Sequence, residues 1–134
     1  MERMSVIKSL LSESEVYIDR GDVVQASEKL YKAAEECIKL LAKHLGLREA
    51  EIAEEKGRWT VTLLERAVEA LTDKLGADVR IGWDAANYLH VWGFHEAKIE
   101  IEGVKARKPA IEKLVKLTEE ALSRSELAPS LPPL

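Results

Sequence analysis

The chain has one cysteine and one phenylalanine among 134 residues, and it carries no excess of positive charge. With Cys37 alone, no intrachain disulfide can form, and a cysteine-rich zinc site is excluded. Cys37 lies among apolar residues of a helical pattern and reads as a small core residue. A formal net charge of −4 argues against a generally basic nucleic-acid binder and leaves only a local basic patch open. No N-terminal apolar run has the form of a signal peptide, and no stretch approaches the length of a transmembrane helix. The expected location is therefore the cytoplasm, with no membrane partner. Glycine-rich phosphate loops of the GxxxxGK or GxGxxG type are absent, as are a GxSxG elbow, internal repeats and low-complexity blocks.

What is present is a globular composition, 46% hydrophobic and 33% charged, in a length that suits one domain with a continuous core. The charged fraction exceeds the usual quarter, which fits a heat-stable surface of ion pairs and hints at a thermophilic source. One domain is expected over residues 1–127, followed by an extended tail from Ala128 to Leu134 that holds three prolines.

Turn signals divide the chain into helices. The first should run from about Glu2 to Arg20. Gly21 stands at a helix C-terminus, Asp22 follows as an N-cap, and Gln25 gives a capping-box spacing. A stop and a start this close force two antiparallel neighbours. The second helix, to about Leu45, carries two adjacent apolar seams. Val23, Ala26, Leu30, Ala33, Cys37 and Leu40 form one; Tyr31, Ala34, Ile38, Leu41 and Leu45 form the other. Two seams imply contact from two directions and a central place in the bundle. After Gly46, a polar stretch from Arg48 to Lys56 reads as a short exposed helix. Thr60 caps the next, which Gly76 ends, and Asp78 is expected to cap the helix after that. Residues 98–102 fit either strand or helix; with no partner strand in sight, helix is the reading, breaking near Gly103. Pro109 marks a first turn or a kink of the last helix. The expected fold is an all-α, up-and-down bundle of four to six helices.

Residues 80–96 hold two of the three Trp, the only Phe, one Tyr and two of the three His. At 100° per residue, Trp83, Ala86, His90 and Phe94 share one side, and Ala85, Leu89 and Trp92 widen the apolar arc. Arg80, Asp84, Asn87 and His95 share the remaining strip, with Tyr88 at its edge, and form the candidate binding set. His90, His95 and Asp84 are the candidate catalytic residues. The alternative for His90 is a core histidine bonded to a neighbour, and for the strip a solvated face with an Arg80–Asp84 pair. On an α-helix His90 and His95 diverge by about 140°, so no metal site and no cofactor are expected. The basic cluster Lys105, Arg107 and Lys108 reads as a solvated run, a phosphate contact being the alternative.

Two stretches carry a family resemblance: SerGluLysLeuTyrLysAlaAlaGluGluCysIleLysLeuLeuAla (27–42) and AlaAlaAsnTyrLeuHisValTrpGlyPheHisGlu (85–96). They resemble the archaeal PaREP family of small helical proteins of unassigned function, over about residues 5 to 122. That family looks related to the HEPN class of four-helix bundles. The resemblance implies a bundle, a homodimer, and either an RNase or a partner of a nucleotidyltransferase or toxin–antitoxin-type scaffold. The HEPN RNase motif sets an Arg a short way before a His on one helix. Here nine residues separate Arg80 from His90, and the positions six and five before His90 hold Asp84 and Ala85. The same positions before His95 are Leu89 and His90. No Arg carries over, so the expectation is a non-catalytic homodimeric binding module, with its dimer contact around Trp83, Trp92 and Phe94. A divergent RNase or nucleotide-binding protein using His90 and His95 is the alternative.

Overall fold

In a computed structural model, which describes residues 2–127, every regular element is helical. The order is α1 (Glu2–Asp19), α2 (Val23–His44), α3 (Arg48–Lys56), α4 (Val61–Leu75), α5 (Ala77–Tyr88), a π-helical turn (Leu89–His95) and α6 (Ile101–Leu127). The expected tail from Ala128 onward lies outside the described residues. Among the described residues no helix is long and apolar enough to cross a membrane.

The hairpin between α1 and α2 forms as its residues dictate. Gly21 takes φ +72°, its N–H bonds to the Ile18 carbonyl, and the Asp22 N–H bonds to Tyr17. This is the paired bonding that closes a helix on a left-handed residue. The Asp22 side chain then accepts from the Gln25 N–H at 3.0 Å, and α2 starts. Thr60 caps α4 by accepting from Leu63. Asp78 does not cap α5: Gly76 takes that position, and Asp78 sits in the first turn, where its charge suits the helix dipole.

Helix α2 is the centre of the bundle. It packs against α1, α3, α4, α5, α6 and the π turn, and both of its seams are packed except at their end, where Leu45 is exposed. Ala26, Leu30, Ala33, Ala34, Cys37, Ile38 and Leu41 are fully buried. Ion pairs between Lys29 and Glu13 and between Lys108 and Glu15 tie α1 to its neighbours, as does the contact of Lys8 with Glu119. Each surface pair contributes only a few tenths of a kcal/mol to about 1 kcal/mol, so burial around α2 dominates stability.

Three features of the last third depart from expectation. The 80–96 segment is not one α-helix: its second half is wound as π. The break before the last helix falls at Ala97–Glu100, where Ala97 takes φ +52°, not at Gly103. Pro109 lies well inside the 27-residue α6. Gly82 explains how α5 reaches α6 so closely. A Cβ there would stand 2.9 Å from both the Ala110 carbonyl oxygen and the Leu114 Cβ.

Candidate functional site

The π turn reorganises the site that the sequence proposed. A π-helix closes hydrogen bonds five residues apart, not four, which widens the turn. The Glu96 N–H bonding to the Val91 carbonyl at 2.9 Å shows that spacing at its end. Residues five apart then come back to nearly the same face. Accordingly His90 and His95, which an α-helical wheel separates, have their Nε2 atoms 3.2 Å apart. Their rings meet edge to face, with centroids 4.4 Å apart and planes at 76°.

The surrounding rings fix this pair. Tyr31 of α2 stacks on His90 with centroids 4.0 Å apart and planes at 20°. Phe94 stands edge-on to His95 at 5.0 Å and lies 6.0 Å from His90. Trp83 touches the other end of Tyr31 at 5.8 Å. A continuous row of rings thus runs from the core outward, from Trp83 through Tyr31 and His90 to His95. His90 is half-buried and His95 is exposed. Burial holds the His90 pKa below its ordinary value, the charge of His95 lowers it further, and the Glu28 carboxylate opposes both. Tyr31 is pushed up to about 12 by burial and by the nearby Glu35 and Glu65 charges.

Gly93 lets the π turn approach α2. A Cβ on it would lie 2.0 Å from Ser27 Oγ and 2.7 Å from Ser27 Cβ. Ser27 Oγ and His90 Nδ1 are buried polar atoms without a hydrogen-bond partner, and both belong to this contact. Buried polar groups normally have partners, which makes the π–α2 contact the least satisfied part of the interior.

The expected polar strip is divided among different partners. Arg80 lies 3.4 Å from Glu65 and 3.8 Å from Asp84. Asn87 donates to the Trp83 carbonyl of its own helix at 2.9 Å. Tyr88 lies under the guanidinium of Arg107, 3.7 Å from its ring centroid. His95 leaves the strip and joins His90. The basic cluster is equally engaged: Lys108 meets Glu15 and Glu112, and Lys105 stands 3.9 Å from Glu102. Trp83 is 2% exposed and donates its indole N–H to Glu65 at 2.6 Å, which removes it from any surface contact. Sequence reasoning missed Tyr31, Ser27 and Glu65, which lie on other helices.

A concavity of about 1190 Å³ lies elsewhere, between the C-terminal half of α2 and α3. Arg3, Lys39 and Trp59 line it, but Arg3 and Lys39 are paired with Glu36 across its wall. None of the candidate residues reaches it.

Fold and geometry together define a small all-α protein with a contacting pair of histidines on a π turn. The chain belongs to the Archaeal PaREP1/PaREP8 family, whose profile matches residues 2–115. A crystal structure of a protein from Sulfolobus solfataricus is similar, at 38% identity and TM-score 0.80, covering 87% of this chain and 95% of that one. The solution structure of the Orf c02003 protein is 37% identical with TM-score 0.75, covering 87% of this chain and 91% of that one. No curated protein matches the chain.

Proposed function

We propose that this chain is a HEPN-like homodimeric binding module without catalysis of its own. The observation that carries the reading is an exposed apolar stripe on α5 and the π turn. Ile81 is 53% exposed, Tyr88 39%, Val91 42% and Trp92 42%, at spacings that set them along one side of the segment. Val61 on α4 is a further large apolar residue in solvent, 77% exposed. Isolated exposed apolar residues are ordinary, but a group of large ones on one face marks a contact surface. A two-fold contact repeats one patch on both copies, and this stripe supplies its apolar centre. Trp92 and Val91 take the role that the buried Trp83 cannot. Arg80, the arginine an RNase reading would use, is held by Glu65 and Asp84.

Light scattering on the purified chain at tens of micromolar tests this reading. The expected result is twice the chain mass, returning to monomer mass in a Val91→Glu, Trp92→Glu variant. A wild-type monomer removes the reading.

The contact between His90 and His95 favours a second reading, a divergent RNase. A half-buried neutral His90 would accept a proton while the exposed His95 donates one. RNA cleavage by the wild type, lost in a folded His90→Ala, His95→Ala variant, would establish it. No cleavage across a panel of RNAs, metals and pH values leaves the binding module standing.

A further inference from the structure

We propose that His90 and His95 form a two-nitrogen chelate for a borderline divalent transition ion such as zinc or nickel, with water or a bound molecule completing its coordination. The site needs only one chain and is independent of the dimer reading above.

Distance is the first argument. Two imidazole nitrogens bound at about 2.0–2.1 Å to a tetrahedral ion lie roughly 3.3 Å apart, and the two Nε2 atoms are separated by 3.2 Å. Orientation is the second. Two rings meeting head-on in a linear N–H···N bond would have centroids about 5.5 Å apart. The observed 4.4 Å shows that the rings are turned off that line. A tetrahedral chelate would set the centroids about 5.2 Å apart, so an entering ion must swing the rings apart by roughly 0.8 Å, a movement open to the exposed His95.

Backbone and packing hold the pair before any ion arrives. The π turn brings residues five apart to one face, which an α-helix achieves only at three or four. Tyr31 clamps the His90 ring from α2, and Phe94 borders His95. Rings already ordered lose little freedom on binding. Glu28 contributes negative potential at His90, which favours a cation over an anion. Imidazole suits zinc, nickel and copper in preference to the oxygen-seeking magnesium and calcium. Among the described residues no third His, Cys, Asp or Glu side chain joins the pair. The ion therefore keeps open positions, as catalytic and ligand-exchanging ions do and closed structural sites do not.

The test is calorimetric titration of the tag-free chain with zinc chloride and nickel chloride, beside magnesium chloride. The expected result is one zinc or nickel ion per chain and no magnesium. His95→Gln, at an exposed position that the core does not need, should weaken binding by about tenfold or more, as should His90→Gln. His44→Ala, which removes the third and distant histidine, should leave it unchanged. Zinc should also shift the imidazole NMR signals of His90 and His95 and not those of His44. Absence of binding, or binding that survives His95→Gln undiminished, overturns the proposal.

Discussion

Ser27 occupies the space that any side chain at position 93 would need: its Cβ lies 2.7 Å from where a Cβ on Gly93 would stand. The hydroxyl can rotate away; the Cβ cannot. Gly93→Ala should therefore cost about 1–3 kcal/mol through overpacking and push the π turn off α2. Ser27→Ala keeps the offending Cβ and should not rescue it, whereas Ser27→Gly should recover most of the loss. A double-mutant cycle by chemical denaturation measures this coupling, and additive effects would sink the argument.

The indole of Trp83 is fully inside the bundle yet reaches the carboxylate of Glu65. Trp83→Ala should cost about 3–5 kcal/mol by leaving a large cavity. Trp83→Phe keeps most of the volume and should cost about 1–2 kcal/mol, much of it the lost hydrogen bond to a charged acceptor. Thermal melts of both variants check the order; equal losses would mean that the bond to Glu65 is the whole effect.

Two acids with raised pKa values set the alkaline limit. Burial pushes the Cys37 thiol up to about 12, the neighbouring Thr118 side chain acting against it, and Tyr31 stands at about 12 for the reasons given above. Both favour the protonated form when folded. Their contribution is complete below the unfolded values of 9.0 and 10.0 and is lost as pH rises toward 12. Stability should fall steadily through that window in a denaturation series. Alkylation of Cys37 at pH 8.5 should run at least about a hundredfold slower in the native chain than in the unfolded one.

His90 governs the acid side with the opposite sign. Its folded pKa is depressed, first by burial and then by His95, so the unfolded chain binds the proton more readily. Stability is complete above the unfolded value of 6.5 and is lost as pH falls below it. An NMR titration should place His90 below the ordinary histidine range, and His95→Gln should move it back toward that range. A His90 that titrates at 6.5 in both chains would contradict the contact.

The helical hairpin, the central place of α2 and the helix stops at Gly21, Gly46 and Gly76 were legible because caps and seams are local and periodic. Each of those glycines takes positive φ where its helix closes. The site was legible only as a composition. A wheel drawn at 100° per residue puts His95 with Asp84 and Arg80; the wider π turn puts it on His90. Seven residues are too few for a change of period to show against the α-helical pattern on either side. Trp83 read as a surface anchor because Glu65, which satisfies its indole, comes from a different helix. Ala97 gave no signal of the break before α6, since left-handed backbone at an alanine is set by the segments it joins and not by its own preference.

A π turn is an α-helix that has taken in one residue more than its register allows, the surplus being absorbed without displacing what lies before it. Among the described residues, the two histidines stand at the single place where sequence length and helix length are out of step. Removing one residue between them would let the turn relax to ordinary winding, change their spacing from five to four and slide the Gly93 notch away from Ser27. Descent with such a deletion would keep the bundle and lose this contact, so the spacing of the pair, more than the presence of either histidine, is what would separate relatives that keep the two rings together from those that keep only the fold.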